Sequence, residues 1–176
     1  LSPGHTDFMS GITRSTPIAL KTSLFRNAYR VAVIAGATAD DEILALAEKM
    51  GCLIAEHGYL LVSGGLGGVM EAASRGAKSR GGTVLGILPG SVRSEANPWV
   101  DIAIATELGH LRNALVVCNA DIVVAIDGAY GTLSEIAHAR IRKIPVLGLR
   151  TWNLPQVQLL DTPEQVMTQI HKHLEA

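Results

Sequence analysis

Aromatic residues are scarce in this 176-residue chain: two Trp, three Tyr and two Phe make up 4% of it. So few rings leave little with which to stack the bases of a single strand. Surplus charge is missing too, with 15 Lys+Arg against 16 Asp+Glu and a net charge of −1. Without a basic excess, neither nucleic acid nor a membrane surface is an expected partner. Cysteine occurs twice, at Cys52 and Cys118. Two distant thiols in apolar stretches make neither a disulfide framework nor a zinc knuckle, and they read as reduced core residues of a cytoplasmic protein. No run reaches the ~18 apolar residues of a membrane span; the best candidate, 114–126, is interrupted by Asn119 and Asp121. The N-terminus carries no charged-then-apolar signal pattern. Residues 1–28 are expected to be a flexible tail, the first eight an appendage ahead of Met9.

What the chain has in quantity is apolar residues, 48% against 18% charged, the composition of a core builder rather than a disordered chain. Its length predicts a single domain, over 29–176. Short buried-strand runs alternate with amphipathic helices from residue 30 onward. Strands are expected at 31–35, 59–62, 83–87, 100–105, 122–126 and, as the last, 145–149. Helices are expected after Thr38-x-x-Asp41, read as a capping box, and at 69–78, 107–119, after 132 and from Pro163. The 107–119 helix would bury Leu108, Leu111, Leu115 and Cys118. This alternation predicts an α/β, Rossmann-like doubly wound parallel sheet with helices on both faces, and a ligand site beyond the carboxyl ends of the strands.

Two glycine-rich loops fall between a strand and a helix: Ser63-Gly64-Gly65-Leu66-Gly67-Gly68 and Asp127-Gly128-Ala129-Tyr130-Gly131-Thr132. Glycine allows a close backbone approach, and the following helix N-terminus offers unpaired N–H groups and a positive dipole end, which suit a phosphate. The loops supply these N–H groups and the Thr132 hydroxyl but no lysine. There is no Walker A loop. The dinucleotide fingerprint fails, because Met70 stands where a third glycine belongs and Leu85 where an acid is expected roughly twenty residues on. NAD and an intrinsic metal are therefore not expected. His171 and His173, near a helix end, read as solvated imidazoles.

The segment from Gly64 to Met70 resembles the G-G-x-x-G-x-M loop of the lonely-guy (LOG) type proteins. The segment from Asp127 to Glu135 resembles their P-G-G-x-G-T-x-x-E motif, and Arg112 precedes it at about the family distance. This resemblance, over 31–149, implies a Rossmann-like fold, an oligomer and a pocket for a nucleotide-like phosphate. In the family's enzymes the arginine and the glutamate take part in cutting the base–ribose bond of a nucleoside 5′-monophosphate; here they are Arg112 and Glu135. Three departures stand out: Asp127 replaces the proline, Ala129 a glycine, and Asn113 a basic residue. The altered pattern is more similar to the molybdenum cofactor carrier proteins, a non-hydrolytic branch of the superfamily.

The resemblance thus implies a carrier that binds and protects molybdopterin-type cofactor as cargo through its phosphate, without hydrolysis. The alternative is a phosphoribohydrolase using Arg112 and Glu135. The expected binding residues are Ser63, Gly64, Gly65, Gly67, Gly68, Met70, Arg112, Asp127, Gly128, Tyr130, Gly131, Thr132 and Glu135. Implied partners are a phosphorylated small molecule, further copies of the chain as a dimer or tetramer, and molybdoenzymes that receive the cofactor. Plainer roles compete for several residues. Thr132-x-x-Glu135 is itself a capping box. Arg112 would suit a solvent-facing helix position, and Tyr130 either a ring platform or surface packing. Asp127 could accept hydrogen bonds from a pterin, hold a ribose hydroxyl or a metal, or close its own turn as an Asx residue.

Overall fold

The computed structural model describes residues 28–174. The expected tail at 1–28 lies outside the described residues apart from Ala28. In chain order the elements are β1 (Arg30–Ala35), α1 (Asp41–Glu56), β2 (Leu60–Ser63), α2 (Val69–Ser79), β3 (Val84–Leu88), β4 (Ile102–Ala105), α3 (Asn113–Cys118), β5 (Ile122–Ile126), α4 (Tyr130–Ile141), β6 (Val146–Leu149), β7 (Val157–Leu160) and α5 (Pro163–Leu174). The seven strands form one parallel sheet in the order β4-β3-β2-β1-β5-β6-β7. This is the α/β, Rossmann-like fold that the alternating pattern predicts.

Side-chain alternation along the central strands builds a core on each face. Val31 and Val33 of β1 pack with Ile122 and Val124 of β5 under α1, α2 and α5. Ala32 and Ile34 pack with Val123 and Ala125 under α3 and α4. The chain winds outward from β1 to β4, then returns to lay β5 on the other side of β1. Between β1 and β5 the strand order reverses, which opens the crevice where such sheets bind ligands.

Several expectations need correction. α1 is capped by Asp40, whose carboxylate accepts the Ile43 N–H at 2.9 Å, rather than by Thr38. The expected 107–119 helix is a 3-10 turn at Gly109–Arg112 followed by the short α3. Glu107 and Gly109 adopt positive φ, which no helix continues through. Its anticipated apolar stripe is not the buried face: Leu108 and Leu111 are exposed, Leu115 and Cys118 half-buried, while Arg112, Asn113, Val116 and Val117 turn inward. Cys52 is likewise half-buried, with Sγ 3.5 Å from Ser79 Oγ. His171 is not merely solvated, since its ring lies 4.6 Å from that of His57. β6 is not the last strand; β7 follows it and forms the edge of the sheet.

Candidate functional site

Glycines set the course of the β2–α2 loop. Ser63 is fully buried and its Oγ accepts the Gly65 N–H at 3.1 Å. Gly65 has φ 74, and a Cβ there would meet Leu88 at 2.8 Å; its carbonyl accepts the Asn97 backbone N–H at 2.8 Å. Gly68 has φ 66 and lies against the Ala37 carbonyl. These three residues shape the loop and are not among those that line the two clefts described below. Gly67 is open, with only Glu71 Oε2 nearby at 3.8 Å. Gly68 is the N-cap of α2 and gives it no side-chain cap, so the first N–H groups of α2 have no side-chain acceptor.

A cleft of about 230 Å³ opens at the carboxyl end of β1. It brings together Gly64, Met70, Arg112, Gly131, Thr132 and Glu135 of the expected set. Gly36, Ala37, Leu66, His110 and Asn113 join them, which sequence reasoning did not include. The first two had a signal: 36–38 is a third strand-to-helix loop at the same sheet edge. α4 begins beside the cleft at Tyr130, and its N-cap Ala129 again offers no side-chain cap. Two helix N-termini with positive dipole ends therefore face this end of the sheet.

Arg112 is 7% exposed, so the solvent-facing reading does not hold. Its Nη1 donates to Asn113 Oδ1 at 2.9 Å and its Nη2 to the Gly64 carbonyl at 3.4 Å, whereas Nε has no partner. Glu135 Oε1 lies 3.7 Å from Arg112 Nη1. Burial pushes the Glu135 carboxyl up to about 8, and the neighbouring guanidinium offsets only part of this. Burial also lowers Arg112 from the ordinary arginine value, against the opposing pull of Glu135. Burial thus disfavours the charged form of both partners, and each one's charge partly restores the other's. Asn113 clasps α3 to α4 by donating to Ser134 Oγ at 2.9 Å and the Gly131 carbonyl at 3.4 Å. Thr132 sits inside the first turn of α4, its buried hydroxyl without a partner. It is no N-cap, and Glu135 turns to Arg112, so the capping-box reading fails for both.

Asp127 and Gly128 line a second cleft, of about 370 Å³, with Arg150, Thr151, Trp152 and Asn153. Asp127 has φ 49; its N–H donates to the Leu149 carbonyl at 3.0 Å, and its carbonyl accepts from Thr151 Oγ1 at 2.6 Å. Its carboxylate makes no hydrogen bond or ion pair among the described residues, so it does not close the turn as an Asx residue. Tyr130 is 82% exposed, its ring 6.3 Å from that of Trp152. No three His, Cys, Asp or Glu side chains come together as a metal site among the described residues, and no described helix is long and apolar enough to cross a membrane.

This architecture is similar to that of known proteins. The molybdenum cofactor binding protein from the phototrophic bacterium Rippkaea orientalis superposes with a TM-score of 0.80 and 35% identity, over 84% of this chain and 98% of that one. The molybdenum cofactor carrier protein of Chlamydomonas reinhardtii gives 0.79 and 30%, over 85% and 99%. By sequence, an uncharacterized protein of Archaeoglobus fulgidus is 41% identical over 139 residues, 78% of this chain and 91% of its own. A cytokinin riboside 5′-monophosphate phosphoribohydrolase of Mycobacterium marinum is 32% identical over 105 residues, which cover 58% of this chain and 56% of that enzyme. The two cofactor proteins match over nearly their whole length, whereas the hydrolase match spans about half of either chain. The profile of the SLOG cluster4 family matches residues 28–175, and the chain belongs to that family, within the LOG-like superfamily.

Proposed function

We propose that this protein binds, protects and carries a molybdopterin-type cofactor, gripping it by its phosphate and leaving its bonds intact. The main support is likeness over 98–99% of the length of two molybdenum cofactor proteins, at 30–35% identity. The first cleft has matching chemistry. Two uncapped helix N-termini supply N–H donors, and Arg112 supplies the positive charge. Burial raises the Glu135 carboxyl toward its neutral form, which lessens its repulsion of an anion. Arg112 and Thr132 both line the cleft beside these N-termini. We extend the proposal to a cytoplasmic homo-oligomer that passes its cargo to molybdoenzymes.

One observation favours the hydrolase instead: Arg112 and Glu135, the pair that the LOG resemblance assigns to bond cleavage, meet in this cleft. Burial raises the Glu135 carboxyl, which suits a general acid as well as a wall that does not repel an anion, so an activity assay has to separate the two readings. Incubation with AMP, followed by chromatography for free adenine, separates the readings when run beside an assay of molybdenum cofactor retention. The carrier predicts retained cofactor and no adenine. Turnover at about 1 s⁻¹ or faster would overturn it.

A further inference from the structure

The second cleft lies one backbone away from the first. A Cβ on Gly36, which lines the first, would stand 3.8 Å from Gly128 Cα, which lines the second. Two non-glycine residues of the second cleft, Asp127 at φ 49 and Arg150 at φ 50, adopt left-handed backbone. Such conformations persist only where the surroundings enforce them, and they cluster at ligand sites. Here the enforcement is visible: the Asp127 N–H donates to Leu149, and the Thr151 hydroxyl donates to the Asp127 carbonyl at 2.6 Å.

The result is a half-buried residue whose backbone is held in place and whose carboxylate has no partner among the described residues. Arg150 lines the same cleft but does not neutralise it, because its guanidinium is bound to Glu42 at 2.6 Å. Trp152 lines the same cleft, and the exposed Tyr130 ring lies 6.3 Å from it with planes 34° apart. A carboxylate without a partner in one cleft with an aromatic ring suits a planar heterocycle that presents two parallel N–H donors. Pterins and guanine both carry a ring N–H and an exocyclic amino group on one edge; adenine does not.

We propose that this second cleft seats the heterocycle of the phosphorylated ligand, with Asp127 accepting both hydrogen bonds from an amino–amide edge. The proposal rests on the carrier reading for the place of the phosphate, and it names the class of ring.

The test is calorimetric titration of the full chain with GMP, IMP, AMP and a pterin monophosphate. GMP is expected to bind about tenfold more tightly than IMP, which lacks the amino group, or AMP. The pterin arm decides the source: affinity above that of GMP assigns the site to a pterin, and affinity below it to guanine. Asp127→Asn should reduce GMP to the level of IMP and leave AMP unchanged, so AMP reports that the fold survives. Asp127→Ala should do the same. In a Trp99→Phe background, GMP should quench Trp152 emission more than AMP does at equal occupancy. Equal affinity for GMP and AMP, or equal losses for all ligands in Asp127→Asn, overturns the proposal. If that happens while molybdenum cofactor is still retained, only this inference falls. If no phosphorylated ligand binds and no cofactor is retained, the carrier reading falls with it.

Discussion

Glu135 holds a proton in the folded chain that it gives up in the unfolded one. Its carboxyl is raised from 4.5 to about 8 by burial, so between those values folding takes up a proton. The stability this contributes is fully present below about 4.5 and is lost as pH rises through about 8. The loss is of the order of a few kcal/mol. Denaturant titrations across this range should show stability falling with pH, and Glu135→Gln should flatten the slope; a rise instead would contradict the assignment. Phosphate affinity should weaken above about 8 as Glu135 becomes an anion. Gly64 permits a second residue-level test. A Cβ there would come within 2.5 Å of Arg112 Nη2 and 2.8 Å of Met70 Sδ. Both are ends of flexible side chains, so Gly64→Ala should fold normally yet displace the guanidinium. AMP affinity should drop about tenfold, the worth of one charge-assisted hydrogen bond, with little change in melting temperature. Gly65 differs. It packs on Leu88 rather than lining the cleft, so a charged replacement there would damage the loop before it met a ligand.

At the scale of elements, α1 and α2 cross with almost no side chain between them. A Cβ at Gly51 would strike the Ala73 carbonyl, and one at Gly76 the Glu48 carbonyl. Backbone cannot give way as a side-chain end can, so Gly51→Ala should cost about 1–3 kcal/mol, read as a lower melting temperature. The sequence showed α1 and α2 through their apolar spacing, yet not this contact, because a glycine inside a helix pattern gives no local hint of what lies opposite. The same limit explains the other differences. Strands β1 and β5 were plain because burial on both faces makes continuous apolar runs. Residues 107–119 looked helical from leucine spacing, whereas the positive φ of Glu107 and Gly109 depends on how the turn docks. The site was half legible. Glycine loops announced the cleft, but which loop residues face it depends on backbone turns: Ser63, Gly65 and Gly68 support the loop from behind, and Asp127 faces the other way.

For the whole molecule the β4 edge is the surface that invites a partner. An edge strand offers unpaired backbone groups, and natural proteins usually blunt such edges with charge. β4 instead exposes Ile102 and Ile104, on the same side of the strand, at 50% and 46%. The segment that follows exposes Leu108 at 45% and Leu111 at 77%. Leu111 is the sequence neighbour of Arg112, which lines the first cleft. Leaving these four side chains in water would forgo the stabilisation their burial provides. A second copy of the chain, carrying the same apolar face, would bury them by two-fold pairing. Sedimentation at micromolar concentration should therefore give a dimer or tetramer, and Leu111→Lys with Ile104→Lys should give a monomer that keeps its helical circular dichroism. A native chain that sediments as a monomer would refute association altogether. An oligomer untouched by the double substitution would move the interface elsewhere, to the β7 edge where Leu159 is 44% exposed.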